Sequence, residues 1–486
     1  QQSISTVEKK DVYLAQLHRT AYAELRYEDA ISLCLTILKP LGCKFPYGGP
    51  TGLIKALISL RQTIKIVKQT SMERLESLSV VSASSKLALA AFLNGLNEWT
   101  YLAGEKYIFI NVLTVTKMVQ MTLQYGLFDS SATFIAYLGM LTLLVMEDVD
   151  TAQFIGERAL HMQKRNSVEL GKARTYAFLY CYVFHHLKPL HDFSKPLLEA
   201  YQSGMRTGDK SHALWILCFH HVFLPYVSGK PLKLIEEQCE VSISQMIELK
   251  EEEQPACLRC FWQLCLNLMG VSHNTVKLKG KAMDEEKVVF TKALHANFVA
   301  AKTIACSLFG EYELGAHLDI KKGDKQIFKF KGGALTGMAF FFHRALSLYA
   351  MARKNKRKKG KYMARARRIH KEYTDSLEKK NPNILHYVSI LNAELGALEK
   401  RKTREESVCK LYNDAIAISA RGGYLPDAAL AQERFADFLL NEVGNTVEAK
   451  YHIEGAIQRY TNWGAIGVVE HLHNKYQCVL VGSSKN

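Results

Sequence analysis

Cysteines in one apolar run are the first candidates for metal or redox chemistry. Cys257 and Cys260 have the spacing of one ligand pair of a structural zinc ion, and Cys265 lies nearby. Such a site needs a second ligand pair, and none follows at a suitable spacing. The surrounding residues predict a helix, on which positions three apart share a face. We therefore interpret these thiols as core residues and expect neither a metal ion nor a redox pair.

Histidines form two adjacent pairs, His185-His186 and His220-His221, with His191 close to the first pair. Neighbouring side chains on a helix point about 100° apart, so a pair cannot easily bind one ion. No nearby carboxylate pattern completes a metal site. We predict histidines of the core or its boundary, and no metal ligands.

A nucleotide site would need glycines followed by Lys and a hydroxyl residue at a helix start. Gly171-Lys172-Ala173 lacks the upstream glycine and the hydroxyl, while residues 332–337 have glycines but no suitably placed lysine. We interpret both segments as helix caps or turns. No cofactor is expected.

Catalytic side chains are equally hard to assign. Nucleophilic catalysis needs Ser or Cys on a sharp turn beside a base, and we recognise no such segment. Glu251-Glu252-Glu253 bring carboxylates together, but directly before Pro255 they are typical of a solvated helix end. The sequence therefore predicts no catalytic residue.

The strongest charge feature is a basic segment at residues 353–371, which holds eleven Lys and Arg and no acidic residue. Without it, 52 of the 63 basic residues remain against 47 acidic ones, so it supplies most of the net charge of +16. It is either a solvated loop and helix start, or an electrostatic contact for an acidic partner, an anionic membrane or nucleic acid. Tyr362 is the only Phe, Tyr or Trp in this segment, which disfavours base stacking, so nucleic-acid binding would be nonspecific and salt-sensitive. The contact would use Arg353, Lys354, Lys356, Arg357, Lys358, Lys359, Lys361, Arg365, Arg367 and Arg368.

Length and composition limit the elements that position these residues. A chain of 486 residues exceeds one hydrophobic core, so it forms several domains or a stacked array. Only 10 Pro and 30 Gly argue against a β-sandwich. Eleven cysteines, mostly in apolar helical runs, favour reduced thiols and a cytoplasmic protein. The uncharged apolar stretch 130–146 is shorter than a bilayer-spanning helix, so no transmembrane segment is expected. The start at Gln1 suggests a piece of a longer protein.

Pairs of amphipathic helices recur along the chain, with small residues where two helices would cross. The clearest pair has a helix at about 427–442, a turn at Gly444-Asn445, and Ala449, Ile453 and Ala456 on its second helix. Looser pairs lie near residues 14–37, 137–159, 310–315 and 408–415.

These pairs predict an all-α fold, a right-handed α-solenoid of irregular TPR-like helix pairs with an insertion near 320–375 and a loop or short hairpin at 326–330. We divide the chain into 1–125, 126–270, 271–380 with the basic insertion, and 381–486 with a cap. The inner helices would line a concave surface, and Trp463 would fill the end of the core. Residues assigned to repeat packing are Ala30, Ala152, Gly156, Ala159, Gly310, Ala415, Gly444, Ala449, Ala456 and Trp463.

The order of several short motifs resembles one family, the helical region that follows the AAA/STAND-type ATPase domain in large multidomain signalling proteins. Val408 and Gly315 stand where that pattern usually has alanine, and 353–371 is more basic than the pattern. The matching residues are Leu41-Gly42, Phe45-Pro46, Pro50, Leu123-Gln124-Tyr125-Gly126, Tyr137, Gly139, residues 155–160, Pro196-Leu197-Leu198, Ala200-Tyr201, Gly204, Thr207-Gly208-Asp209, Asn383, His386-Tyr387, Ala393-Glu394-Leu395, Tyr412, Asp414-Ala415-Ile416, residues 428–431, Glu433, Phe438, Tyr460 and Trp463-Gly464-Ala465.

The resemblance implies a non-catalytic interaction module in a protein that also carries a Ser/Thr kinase, the ATPase, a GAF domain and a histidine kinase or cyclase. Its partners would be proteins, including the parent's own ATPase domain, and no specific nucleic acid. Two alternatives stay open. One is a free-standing TPR-like adaptor that binds a protein or, through 353–371, an acidic partner or nucleic acid, and the other is an unrecognised enzyme.

Overall fold

The computed structural model describes residues 5–24, 26–46, 49–165, 169–272, 274–318, 335–399 and 404–481. It is 79% helical, which confirms the predicted all-α class. Within those ranges the only β pairings are isolated bridges, Val80 with Leu127 and Lys279 with Asp284. The hairpin expected at 326–330 lies outside the described residues. No helix in these ranges is both long and apolar enough to cross a bilayer.

The chain forms two compact units, and unit 1 comprises residues 1–184 and 199–213. Helices α10 and α11 contribute residues to both units. The four segments predicted from the sequence stay a prediction. The helices up to α11 are α1 (Lys10–His18), α2 (Tyr27–Leu38), α3 (Pro50–Gln69), α4 (Met72–Glu76), α5 (Ser84–Ala103), α6 (Ile108–Tyr125), α7 (Ser131–Leu141), α8 (Val149–Arg165), α9 (Lys172–Phe178), α10 (Ser194–Thr207) and α11 (Lys210–Cys218).

Unit 2 comprises residues 185–198 and 214–486. Among the described residues, five π-helical turns, two of them in this unit, extend helices at Arg19–Ala23, Thr142–Met146, Leu179–Val183, Phe219–Phe223 and Leu439–Val443. The remaining helices are α12 (Leu224–Val227), α13 (Leu232–Glu248), α14 (Glu253–Leu268), α15 (Lys292–Leu308), α16 (Tyr312–His317), α17 (Leu335–Lys354), α18 (Lys359–Glu378), α19 (Leu385–Leu398), α20 (Arg404–Arg421), α21 (Leu425–Phe438), α22 (Thr446–Trp463), α23 (Ile466–Lys475) and α24 (Gln477–Leu480).

The α21–α22 pair shows how the sequence sets a turn. Gly444 follows the π turn with φ of 82°, a left-handed conformation that glycine adopts without steric cost. Asn445 then caps α22, because its side chain accepts a hydrogen bond from the backbone N–H of Glu448. Ala449 and Ala456 are fully buried on α22. The predicted helix, turn and apolar face of this pair are therefore present.

Small residues also lie at a helix crossing in unit 1. A Cβ at Gly139 on α7 would lie 3.3 Å from the carbonyl oxygen of Ala152 on α8. A Cβ at Gly156 would lie 3.1 Å from the Phe184 ring. Larger side chains here would push the helix axes apart.

The other residues assigned to packing are turn glycines, the tryptophan at the end of α22 and buried alanines. Gly310, like Gly444, lies in a turn at positive φ, outside any crossing. Trp463 is 1% exposed and ends α22, where its indole N–H donates to the carbonyl of Lys230. Buried alanines among the assigned residues are Ala30, Ala152, Ala159, Ala415, Ala449 and Ala456.

Unit 2 is closed by contacts between residues far apart in sequence. The Trp463–Lys230 hydrogen bond spans 233 residues. Asn383, just before α19, donates to the carbonyls of His185 and Lys188 at 2.7 and 2.8 Å and accepts from the backbone N–H of Leu190. Unit 2 thus departs from an array in which each pair contacts only its neighbours.

The described part of the predicted insertion is helical. Residues 335–354 and 359–378 form α17 and α18, and sixteen residues of α17 are buried. These helices belong to the core of unit 2. An inserted loop would not bury a helix in this way.

Candidate functional site

The basic surface of unit 2 lies where α17 ends and α18 begins. A short 3₁₀ turn, Lys356–Lys358, connects the two helices. The Asn355 side chain accepts a hydrogen bond from the backbone N–H of Lys358 and fixes this turn. Helix α18 then buries Tyr362 and Ala366 against the unit, so its basic residues point away from the core.

Some of these cations are neutralised inside unit 2. Arg353 donates to Glu394 at 3.4 Å, and Glu394 is fully buried. Burial acts to lower the pKa of Arg353, but Glu394 and other nearby groups raise it overall. Lys359 donates to the carbonyl of Leu398, which satisfies the end of α19. Arg367 lies 3.6 Å from Glu399, and Arg365 is half-buried.

Six exposed cations have no ion-pair or hydrogen-bond partner for their side chains within the described ranges. No acidic residue occurs among residues 353–371, and the acidic residues of α18 all follow in its second half. We call these six side chains the basic tip. The basic tip consists of Lys354, Lys356, Arg357, Lys358, Lys361 and Arg368.

Several cations of the basic tip lie where they destabilise α18. The N-terminus of a helix carries partial positive charge, so each nearby cation there costs about 0.3–1 kcal/mol. Lys356, Arg357, Lys358 and Lys361 all lie at or before the first turn of α18. Lys354 lies in the last turn of α17, however, where the partial negative charge of a helix C-terminus favours cations and offsets part of this cost.

A second charged cluster lies in unit 2 around α21, and three of its six side chains, Arg434, Glu394 and Glu433, are buried. Eleven of the fourteen residues of this helix are buried, so it presents no concave face to a partner. The guanidinium of Arg434 lies 4.5 Å above the Tyr312 ring. Burial acts to lower the pKa of Arg434, but Tyr312 and buried carboxylates raise it overall. The three cations and three carboxylates of the cluster are Arg353, Arg434, Lys475, Glu394, Glu433 and Asp437.

A small cavity beside α21 holds the most perturbed carboxyl group. Burial raises the pKa of Asp427 to about 8 and lowers the pKa of His386, 3.6 Å away, to about 3. Both groups are therefore neutral at pH 7 and form no ion pair. His343, whose pKa burial lowers to about 3, also lines the cavity.

An acid and a histidine with shifted pKa values have the composition of a general acid–base pair. The cavity volume, however, is about 20 Å³, enough for one water molecule. Ligand sites are typically about 300–1,000 Å³. A substrate would need the surrounding helices to separate, so this cluster is better explained as part of the core.

The cysteine and histidine candidates lie mostly in the interior. Cys257, Cys260 and Cys265 are buried on α14, and His185 is fully buried. Burial also raises the pKa of Cys265 to about 12, which disfavours a reactive thiolate. In the described part of the chain, no three His, Cys, Asp or Glu side chains are arranged to hold a metal ion.

Sequence reasoning missed the pairing within the basic segment. Glu394 and Glu399 lie 41 and 32 residues from Arg353 and Arg367, too far for any local pattern to indicate. It also missed that three basic residues at 400–402 follow Glu399 in the sequence.

No protein-family model matches this chain, and no curated protein or solved structure shows significant similarity to it.

Proposed function

We propose that this chain is a non-catalytic helical-repeat module for protein–protein interaction and regulation within a multidomain signalling ATPase. The observation that carries the proposal is the packing of paired helices through small residues, as at Gly139 and Ala152. Helix pairs of this kind form extended scaffolds that bind other proteins. The TPR-like character and the right-handed solenoid belong to this proposal, and the step to a signalling ATPase depends on the family resemblance.

The ionic interior of unit 2 supports a regulatory role. The buried members of this network, Arg434, Glu394 and Glu433, cost desolvation energy that an apolar core would avoid. Such networks can specify one arrangement of helices among several. A module that transmits a binding event to an attached ATPase needs well-defined arrangements of this kind.

The experiment compares the parent protein with a version that lacks residues 1–486. The flanking reading frame should encode a Walker A motif upstream, and the isolated chain should not hydrolyse ATP. Deletion should change the ATP turnover of the parent several-fold. A parent without an ATPase domain would contradict the proposal, and so would an unchanged rate of ATP turnover after the deletion.

The adaptor alternative predicts a protein partner without an attached ATPase. Cross-linking of the purified chain in the presence of its flanking domains distinguishes the two. Cross-links from either unit to the ATPase domain support the regulatory module, and their absence supports the adaptor.

A further inference from the structure

The basic tip is a charged surface without an apolar centre. Five of its six side chains project from the junction between α17 and α18, and Arg368 lies further along α18. The acidic residues of α18 are confined to Glu372, Asp375 and Glu378. Within the described residues, none of the large hydrophobic side chains that are exposed lies between positions 335 and 380. A partner that binds here must therefore be recognised almost entirely through its own negative charge.

Stable protein partners normally bury aromatic or aliphatic anchors at the centre of the interface, and the basic tip has none. Single-stranded nucleic acid needs exposed aromatic side chains for stacking, whereas Tyr362 is 3% exposed. Four of the six cations are lysines, which act as hydrated point charges, while arginine suits fixed carboxylates and phosphates. A fluid anionic surface fits this chemistry best, because it requires no fixed geometry.

We propose that the basic tip attaches unit 2 to the surface of an anionic phospholipid bilayer. Clusters of four to eight Lys and Arg on one surface are typical of peripheral membrane attachment. Each cation near an anionic leaflet strengthens binding by about fivefold. The attachment is peripheral and reversible, and it weakens as salt screens the charges.

This inference goes beyond the regulatory function and does not depend on it. Attachment would bring the module to a membrane surface whether or not an ATPase is attached. Arg353 is not part of the attachment, because it pairs with the fully buried Glu394.

The test is co-sedimentation of the full chain with vesicles of phosphatidylcholine alone or with 30% phosphatidylserine, at low and high salt. The chain should bind only the anionic vesicles, and binding should fall at high salt. The triple variant Lys356→Gln, Arg357→Gln, Lys358→Gln should lose about 100-fold in apparent affinity. All three side chains are exposed, so circular dichroism and the melting temperature should not change.

The matched control removes three cations elsewhere on unit 2, with Lys195→Gln, Lys230→Gln and Lys410→Gln, which are also exposed. It changes the net charge equally but should keep most of the binding. Equal losses in both variants would show a general charge effect and overturn the proposal, as would no binding by the wild-type chain. Stronger binding to duplex DNA or to a Glu-rich peptide than to anionic vesicles would identify a different class of partner and equally contradict it.

Discussion

Gly467 tests whether small residues hold unit 2 together. This residue lies in the first turn of α23, against the end of α14. A Cβ there would lie 2.7 Å from the carbonyl oxygen of Asn267, 2.8 Å from the backbone nitrogen of Gly270 and 2.9 Å from its Cα. All three neighbours are backbone atoms, so no side-chain rotation relieves the overlap. Gly467→Ala must shift one helix relative to the other.

Gly360 in α18 provides the matched control, because a Cβ there would meet nothing within 4 Å. Replacement of a helical glycine by alanine normally stabilises by about 0.5–1 kcal/mol. Overpacking a close contact costs about 1–3 kcal/mol. We therefore expect Gly467→Ala to lower the free energy of unfolding by about 1–2 kcal/mol, and Gly360→Ala to leave it unchanged or raise it slightly.

Urea unfolding followed by tryptophan fluorescence measures both effects, because Trp463 and Trp262 are buried in unit 2. The midpoint should fall for Gly467→Ala and not for Gly360→Ala, with the same slope. Equal midpoints for the two variants would refute the packing argument, since the same chemical change would then have the same effect in a crowded and an open site.

Three further predictions concern buried polar groups. Because burial raises the pKa of Asp427 to about 8, the folded state keeps a proton that the unfolded chain has lost. The contribution of Asp427 to the free energy of unfolding therefore falls by roughly 1 kcal/mol per pH unit between pH 5 and 8, opposite in sign to the contribution of the buried histidines below pH 6.5. Asp427→Asn should remove that slope in urea unfolding measured at several pH values. Burial lowers the pKa of His343 and His386 to about 3, so only the unfolded chain takes up these protons below its pKa near 6.5. Each histidine should therefore cost roughly 1 kcal/mol at pH 5.5 relative to pH 7.5, and His343→Gln should make the acid loss of stability shallower. Asn383→Ala should cost about 2–3 kcal/mol because three backbone groups lose their partner, while the exposed Asn441→Ala should be nearly neutral in the same melts.

Local chemistry made the helices predictable. The helix at 427–442 and the turn at Gly444-Asn445 follow from residue types a few positions apart, and the structure has both. The segment boundary placed between residues 380 and 381 lies between two helices, since α18 ends at Glu378 and α19 starts at Leu385. The long-range contacts that close unit 2 could not be predicted, because no local pattern links Trp463 to the carbonyl of Lys230.

For the candidate site, the sequence indicated where positive charge accumulates but not which cations remain free. Arg353 and Lys354 are neighbours, yet one pairs with buried Glu394 and the other is exposed. That difference depends on how α17 packs against α19. The ionic interior around Arg434 was equally hidden, because Tyr312 lies more than a hundred residues earlier.

The bond from Trp463 to Lys230 has a consequence for how the protein is made. At about 5–20 residues per second, a ribosome needs about 10–50 s to add the 233 residues that separate the two partners. Throughout that time the apolar side chains of α13 and α14 lack their final cover. We expect nascent chains of this protein to recruit chaperones until the last helices emerge.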